Sequence, residues 1–432
     1  MRVTVANFKS ISELDMKLED LTILIGPPSS GKSNILEALA TMGYTIKTLI
    51  DPYIEGYSIK DKIYIGNINK YIRGVVCRDL INKFYGRNSA VIEVDYNISR
   101  VVCGDDPNVV QISLALQDSI LHKIKARIAR PDLAAKLDLE NVGTSDINSE
   151  RSIISLILSL LLNLDNISVI TDPFKVEESK VVRIPPGRIS VVVPRLYGFD
   201  RLHAINNIIR GKTGALYPVS YLEESALNLS RILYVNTGIQ EDINTILEDF
   251  SGVRVMPLSD GRLAFIDRNK EVGPTSISDT VLRMLYGYTA LLASKPKTIT
   301  IEKIMALDEN EKTQVPITLE IVPLIMLEEP EAHMYPAAFY NLAEAVAESI
   351  SIGNKVMITT HSGRLAQILW DHILKKRYRA IVYYVHRGED GNTRAYKVNM
   401  KLLAEYIEDL DLIVNEPPDK IDQMLKDGIL VS

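Results

Sequence analysis

The sequence is poor in cysteine and in every aromatic residue except tyrosine. Only Cys77 and Cys103 occur among 432 residues, so neither a disulfide framework nor a four-thiolate zinc site can form. We therefore expect a reducing, intracellular setting. Seven Phe and one Trp stand against 20 Tyr. Glutamine is also scarce and isoleucine abundant, a composition that points towards a thermophile.

Long hydrophobic runs are absent as well. The most apolar one, Ser152 to Leu164, is shorter than the roughly 20 residues that a membrane span needs. The N-terminal MRVTVANFKSI has no apolar segment of the kind found in signal peptides. We expect a cytoplasmic protein with no membrane partner.

The chain has no excess of positive charge. Its 49 Lys and Arg against 55 Asp and Glu give a net charge of −6, so contact with nucleic acid has to come from a local basic patch. Hydrophobic residues make up 46% and charged residues 24%, which excludes wholesale disorder. The length predicts two domains, or one domain with a large insertion.

A phosphate-binding loop stands near the N-terminus. The segment from Gly26 to Ser33 fits G-x-x-x-x-G-K-[ST], and it lies between the apolar run LTILI and a helix predicted from Asn34 to about Leu49. Backbone N–H groups of such a loop point at phosphate oxygens, and the lysine reaches the β- and γ-phosphates. The predicted nucleotide contacts are Gly26, Ser29, Ser30, Gly31, Lys32, Ser33 and Asn34.

Two adjacent carboxylates end an apolar run late in the chain, LIMLEEP. Successive strand residues point to opposite sides, so Glu328 and Glu329 are predicted to hold different positions. One of the two can approach Mg²⁺, for which the Ser33 hydroxyl is a further candidate ligand, and the other can orient and polarise the attacking water. The alternative is a solvated glutamate pair in a loop.

A histidine follows a second buried run, KVMITT, and completes the candidate catalytic set. His361 is placed to contact the γ-phosphate or the water, although a lone histidine after a strand is often structural. Glu328 lies about 300 residues after Lys32, which predicts a split head with an insertion. We divide the chain into an N-terminal half of the head (1–49), an inserted arm (50–215) and a C-terminal half (216–432).

Local patterns predict the elements around these motifs. SAVIEVDYNISRVVCG suggests paired strands, and the segment from Ile112 to Pro131 is predicted to be helical. Pro185-Pro186-Gly187 is a turn between two apolar runs. Asp260-Gly261 is a hairpin turn, and Ser278 opens a helix.

These motifs together resemble the ABC-class ATPase heads of the SMC/RecF/OLD group, and the OLD-like ATPases most closely. The matching blocks are NFKSI, GPPSSGKSNILEAL, LIMLEEPEAHMYP and ITTHS, in that order. The resemblance implies an α/β P-loop NTPase. Its split β-sheet core would have flanking helices and carry an inserted α/β arm.

The resemblance also implies roles for single residues. Lys32 and Ser33 stand in the Walker A motif, and Glu328 is the Walker B acid, which with Ser33 is the predicted Mg²⁺ ligand. Glu329 is the catalytic base, and His361 is the switch histidine. The segment from Glu331 to His333 is the D-loop, which touches a partner subunit in this group. Ser278 begins the signature motif, which contacts the γ-phosphate bound to the other subunit. These roles predict a homodimer with ATP and Mg²⁺ between the heads.

The sequence departs from the family pattern in four respects. Thr280 replaces the usual glycine of the signature, and Pro28 replaces the usual asparagine of the phosphate loop. No glutamine can be assigned to the Q-loop. No Toprim pattern follows His361, so the resemblance implies an ATPase that works with a separate nuclease or other effector protein.

The predicted arm contains two basic clusters that fit the phosphate backbone of double-stranded DNA. The alternative is a solvated face paired with acids elsewhere. The first cluster contains Lys180, Arg183, Arg188, Arg195, Arg201, Arg210 and Lys212, and the second contains Lys123, Lys125, Arg127 and Arg130.

These expectations combine into a dimeric ATPase that acts on nucleic acid, in repair or in defence against foreign DNA. The second reading is a slow ATP-gated switch that binds a protein partner, which Thr280 favours. A third reading, the ATPase subunit of a transporter, is disfavoured by the NFKSI and EEPEAH blocks and by the lack of an LSGGQ-type signature.

Overall fold

The structure is a computed structural model, and it describes most of the two predicted halves of the head together with parts of the segment between them. The described residues are 1–50, 62–64, 73, 76–82, 89–94, 97–103, 109–116, 181–183, 187–198, 207–208, 221–308, 311–332, 334–402 and 421–431.

The described residues form strands in two large sheets and one small one. The strands are β1 (Arg2–Phe8), β2 (Ile11–Lys17), β3 (Leu21–Ile25), β4 (Lys62–Tyr64), β5 (Ser89–Val94), β6 (Asn97–Cys103), β7 (Val109–Leu116), β8 (Val181–Arg183), β9 (Gly187–Tyr197), β10 (Val253–Pro257), β11 (Leu263–Asp267), β12 (Lys270–Val272), β13 (Lys297–Asp308), β14 (Glu311–Glu328), β15 (Lys355–Thr360), β16 (Ala380–Arg387), β17 (Thr393–Val398) and β18 (Leu430–Val431).

The helices of the described residues lie mostly in the C-terminal half. They are α1 (Lys32–Ile50), α2 (Leu229–Val235), α3 (Thr237–Ser251), α4 (Asp279–Ala293), α5 (Ala338–Ser351), α6 (Gly363–Lys375) and α7 (Ile421–Lys426). Short 3₁₀ turns occur at Cys77–Leu80 and Pro274–Ser276. No helix among the described residues is long and apolar enough to cross a membrane.

The main sheet carries a parallel core. Strands β14, β15, β3 and β16 lie side by side and parallel, and β17 and β18 continue the sheet in antiparallel pairing. Strand β13 pairs antiparallel with β14, and β8 and β9 also pair with β14. All five residues of β3 are buried, as expected for a central parallel strand covered on both faces.

Each face of the main sheet has its own hydrophobic core. Ile23 and Ile25 of β3 join the core formed with α4, α5 and α6, whereas Leu24 joins the core under α1 and the antiparallel sheet. This is the strict alternation of a strand between two layers. Helix α1 approaches β9 so closely that a Cβ added at Gly43 would lie 1.9 Å from the carbonyl oxygen of Pro194.

The second large sheet is antiparallel, in the order β2-β1-β5-β6-β7-β4. Strand β1 alternates outward and inward residues, with Val3 and Val5 fully buried. The expectation of a helix from Ile112 onwards is wrong for Ile112–Leu116, which complete β7. Val110, Ile112 and Leu114 recur with the period of two that marks a strand.

The two cysteines form a disulfide bond that links the antiparallel sheet to a neighbouring 3₁₀ turn. Cys77, in the 3₁₀ turn, is bonded to Cys103 at the end of β6. Both are buried. A single bond is not a disulfide framework, so it agrees with the conclusion that two cysteines cannot form one. The Cys77–Cys103 bond does depart from the expectation of a reducing setting, because disulfides persist mainly in oxidising environments.

The sheets combine strands from different predicted segments. Strand β5, from the predicted arm, pairs with β1, and β9, from the same arm, pairs with β14. The apolar runs on either side of Pro185-Pro186-Gly187 are β8 and β9, which both align along β14 rather than with each other. The division at residues 49 and 215 stays a prediction.

Candidate active site

The loop between β3 and α1 needs its two glycines. Gly26 has φ 146° and Gly31 has φ 103°, values that side-chain-bearing residues rarely adopt. A Cβ at Gly26 would lie 2.0 Å from the carbonyl oxygen of Val385, and one at Gly31 would lie 2.0 Å from Thr393 Oγ1. The β16–β17 hairpin therefore supports the loop from behind.

Lys32 is buried at the first position of α1, with 4% exposure. Its Nζ donates hydrogen bonds to the carbonyl oxygens of Gly26 (2.8 Å) and Pro27 (3.0 Å). It also lies 3.4 Å from His361 Nδ1. Burial lowers the pKa of Lys32 to about 8, although the negative charges of Glu329, Glu331 and Glu328 act to raise it.

The two adjacent carboxylates separate because the backbone turns between them. Strand β14 ends at Glu328, and Glu329 has φ 45°, in the left-handed region that costs a non-glycine residue about 1–2 kcal/mol. Strand alternation, the reason given from the sequence, is therefore not what places them. Glu328 Oε1 contacts Arg73 Nη2 at 3.3 Å, and Glu329 Oε1 contacts His361 Nε2 at 2.7 Å.

His361 connects the phosphate loop to the second carboxylate. It follows β15, and its two ring nitrogens face Lys32 Nζ and Glu329 Oε1. The hydrogen bond with His361 lowers the pKa of Glu329, although partial burial opposes this shift. Glu329 is thus held as a carboxylate, in contact with a ring that can accept or donate a proton.

Sequence reasoning missed two hydroxyl residues that brace the phosphate loop. Ser10, in the β1–β2 turn, lies 2.6 Å from Thr393 Oγ1 and accepts a hydrogen bond from Asn34 Nδ2 at 2.6 Å. Thr393 in turn donates to the carbonyl oxygen of Ser30 at 3.3 Å. Ser10 stands in the NFKSI block, but a partner 383 residues away leaves no local signal.

Arg73 is a further residue that the sequence did not single out. Its guanidinium reaches Glu328, and its backbone N–H donates to Glu37 Oε1 at 3.4 Å. Glu37 is a buried residue of α1 that also pairs with Lys9. Arg73 thereby brings a cation to the predicted Mg²⁺ ligand.

The remaining predicted nucleotide contacts occupy different environments. Ser29 is exposed and has φ 61°, Ser30 is buried, and Ser33 and Asn34 are half-buried at the start of α1. Ser278 is exposed at the N-terminus of α4, where its hydroxyl accepts a hydrogen bond from Val281 N–H. Its contact with a second subunit's nucleotide stays a prediction.

The basic clusters are only partly within the description. Arg195 does not join a solvated basic face. It is buried, pairs with Glu224 at 3.5 Å and lies 3.4 Å from the centre of the Tyr221 ring. The backbones of Arg183 and Arg188 lie in β8 and β9. The residues outside the described part are Lys123, Lys125, Arg127, Arg130, Lys180, Arg201, Arg210, Lys212 and, in the predicted D-loop, His333.

Two protein-family models match the chain, one on each side of the central segment. Residues 1–176 match the family described as "AAA ATPase domain". Residues 226–365 match the family described as "AAA domain, putative AbiEii toxin, Type IV TA system". The first match contains the phosphate loop, and the second contains Glu328, Glu329 and His361. The chain is a P-loop ATPase.

Among solved structures, the ATPase is similar to SMC heads. One is an SMC head bound to the C-terminal winged-helix domain of ScpA, with 13% identity, coverage of 93% of this chain and 98% of that chain, and a TM-score of 0.47. The head from Thermotoga maritima has 11% identity, coverage of 92% and 98%, and a TM-score of 0.37. One with an extended coiled coil, bound to ScpA and derived from Pyrococcus furiosus, has 12% identity, coverage of 94% and 98%, and a TM-score of 0.41.

These structural similarities are remote, and the family models are the stronger finding. The comparison with curated protein sequences found no match. The fold agrees with the α/β P-loop architecture expected from the sequence: the phosphate loop follows a central parallel strand, and Glu328 ends a strand two places away in the same sheet.

Proposed function

We propose that the ATPase hydrolyses ATP with Lys32, Glu329 and His361 as its catalytic residues. The observation that carries this proposal is the unbroken chain Lys32–His361–Glu329, with contacts of 3.4 and 2.7 Å, beside the phosphate loop. Glu329 takes a proton from water as the water oxygen attacks the γ-phosphorus. The bond from the γ-phosphorus to the bridging oxygen breaks, and ADP and phosphate leave.

The environment of Glu329 suits a general base. Its pKa is lowered by His361, so it is ionised at neutral pH and ready to accept the proton. His361 orients the carboxylate through Nε2, and Lys32 is placed within the loop to meet the β- and γ-phosphates. Backbone N–H groups at the start of α1 supply the rest of the phosphate cradle.

We assign the Mg²⁺ of the reaction to Ser33 and Glu328. Hydroxyl and carboxylate oxygens are the ligands that Mg²⁺ prefers, and it is commonly held by one or two carboxylates and the phosphates themselves. The contact of Glu328 with the Arg73 guanidinium at 3.3 Å supports this assignment, because it places a positive charge beside the carboxylate. When bound, Mg²⁺ neutralises phosphate charge.

We further propose an OLD- or RecF-like head of the ABC class that dimerises on ATP in the cytoplasm and acts on nucleic acid. Support comes from the resemblance of the motif blocks and from the exposure of Ser278, which leaves it free to face a second copy. A role in defence is in line with the AbiEii toxin in the description of the second family. A separate nuclease or other effector would then act with the heads.

The alternative is a slow ATP-gated switch that binds a protein. One observation favours it: Arg195, a member of the basic cluster, is buried against Glu224 and is lost to DNA contact. Thr280 in place of the signature glycine also fits slow turnover between subunits.

The deciding experiment measures ATP hydrolysis and oligomeric state together, with and without double-stranded DNA at low salt, for the wild type and Glu329→Gln. We expect hydrolysis that DNA stimulates, and a variant that binds ATP, does not hydrolyse it and remains an ATP-dependent dimer. Hydrolysis and dimerisation unaffected by DNA would favour the protein-binding switch. Full activity in Glu329→Gln would refute the catalytic assignment.

A further inference from the structure

Glu331 is turned into its own subunit, towards the strand that carries His361. Its Oε1 accepts two hydrogen bonds, from Thr360 Oγ1 at 2.6 Å and from His361 N–H at 2.8 Å. Its Oε2 is enclosed and finds no hydrogen-bond partner among the described residues. The D-loop role implied by the family resemblance would direct this segment at a partner subunit, and these contacts give the Glu331 side chain a different task.

The contacts of Glu331 close a ring around the catalytic base. The backbone runs from Glu329 to Glu331, the carboxylate of Glu331 holds the backbone N–H of His361, and the ring of His361 returns to Glu329 Oε1 at 2.7 Å. A turn bonded from Ala332 N–H to the carbonyl oxygen of Glu329 (3.1 Å) fixes the remaining side. The base and the histidine are thus tied together twice.

The strand ladder alone does not fix His361. The pairing of β14 with β15 ends at Glu328 and Thr359, and that of β15 with β3 ends at Thr360. Beyond those residues the backbone of His361 depends on the side chain of Glu331. Ser362, at the N-cap of α6, then begins the next helix.

We propose that Glu331 is a positioning residue for ATP hydrolysis, which holds the His361 ring against Glu329 by accepting hydrogen bonds from Thr360 Oγ1 and His361 N–H. This inference rests on the proposed catalytic roles of Glu329 and His361. Glu331 contributes no group to the reacting atoms. Its effect belongs to the chemical step rather than to ATP binding.

The test is a double-mutant cycle on hydrolysis. Kinetic constants and ATP affinity are measured for the wild type, Glu331→Ala, His361→Ala and the double variant. We expect Glu331→Ala to lower kcat by about tenfold or more with KM for ATP unchanged, because a small misplacement of a catalytic group is costly. In the His361→Ala background the same change is expected to have almost no further effect on kcat, since residues that act through one another are not additive.

Two further variants separate positioning from general stability. Glu331→Gln keeps an acceptor oxygen at the same distance along the side chain, so it is expected to restore most of the lost kcat. Asn354→Ala removes two buried hydrogen bonds, to the carbonyl oxygen of Ser294 and to Ser349 Oγ, just before the opposite end of β15. It is expected to lower the melting temperature and to leave kcat unchanged.

The outcomes are distinct. Equal losses of kcat from Glu331→Ala in both backgrounds, a rise of KM instead of a fall of kcat, or a glutamine variant as poor as the alanine variant would each overturn the positioning role. If His361→Ala itself retains full kcat, the proposed role of His361 fails, and with it the proposed function on which this inference rests. If Glu331→Ala leaves kcat unchanged while His361→Ala lowers it, only the positioning role of Glu331 fails.

Discussion

At the scale of single residues, several charged groups act far from the catalytic site. Asp20 lies just before β3 and accepts hydrogen bonds from Lys355 Nζ and from the guanidinium and backbone N–H of Arg379. Burial works against ionisation, but these bonds prevail and lower the pKa of Asp20 to about 2. One carboxylate thereby joins the starts of β3, β15 and β16.

We predict that Asp20→Asn lowers the free energy of unfolding by about 1 kcal/mol at pH 7, a figure reduced for solvent screening of a partly exposed group. The folded-state pKa lies below the unfolded one, so this stability is present above about pH 4 and is lost as the pH falls towards 2. Guanidinium unfolding of both proteins across that range measures the difference. Asp15→Asn, in an exposed pair with Arg2, serves as the control, and an equal effect there would contradict the role given to Asp20.

A second prediction at this scale concerns ligand linkage. Excess Mg²⁺-ATP is expected to stabilise the wild type, by about 2.7 kcal/mol at a hundred times Kd, because ATP binds only the folded loop. Lys32→Ala removes the buried ammonium that we propose contacts the phosphates, so the melting temperature of this variant is expected to be insensitive to ATP. Thermal unfolding with and without nucleotide decides this, and an ATP-dependent shift retained in Lys32→Ala would refute the role of Lys32.

At the scale of helices and strands, close approach between α1 and β9 constrains one glycine. Gly43 lies inside α1 and Gly287 lies inside α4. A Cβ added at Gly43 would clash with a backbone atom, whereas one added at Gly287 would not. The carbonyl oxygen of Pro194, 1.9 Å from that position, belongs to a neighbour in the main sheet that cannot move freely.

We predict opposite effects of alanine at these two positions. Gly43→Ala is expected to destabilise the protein by about 1–3 kcal/mol, the usual cost of overpacking. Gly287→Ala, which meets nothing within 4 Å, is expected to stabilise it by about 0.5–1 kcal/mol, because alanine loses less entropy in a helix. Chemical denaturation of both variants is the measurement, and destabilisation by Gly287→Ala would mean that α4 is packed differently.

The motifs that could be predicted from the sequence are those in which consecutive residues carry the signal. The phosphate loop, β3, α1 and the run into Glu328 and Glu329 all have local patterns, and they lie where the patterns predicted. The hydroxyl chain through Ser10 and Thr393, the contact of Arg73 and the ring closed by Glu331 join residues from distant segments. Such contacts exist only once the sheets have formed, and therefore no window of sequence contains them.

At the scale of the whole molecule, the antiparallel sheet gains a covalent link. The Cys77–Cys103 bond ties the 3₁₀ turn to β6 across 26 positions.

We predict that removing this link by Cys77→Ser together with Cys103→Ser lowers the free energy of unfolding by about 3.5 kcal/mol, the chain-entropy value for a loop of this length. The wild type treated with reductant is expected to unfold at the same temperature as the double variant. Calorimetry with and without reductant tests both. An unchanged wild type, confirmed as oxidised by thiol titration, would show that the bond carries little stability.

The order of strands in the main sheet has a consequence for synthesis of the protein. Strand β3 is synthesised long before its two neighbours in the sheet. Strands β15 and β16 begin about 330 residues or more later in the chain. At roughly 5–20 residues per second on the ribosome, this apolar strand waits for some tens of seconds without its partners. We therefore expect the nascent segment that contains β3 to be prone to aggregation until β15 and β16 have been made.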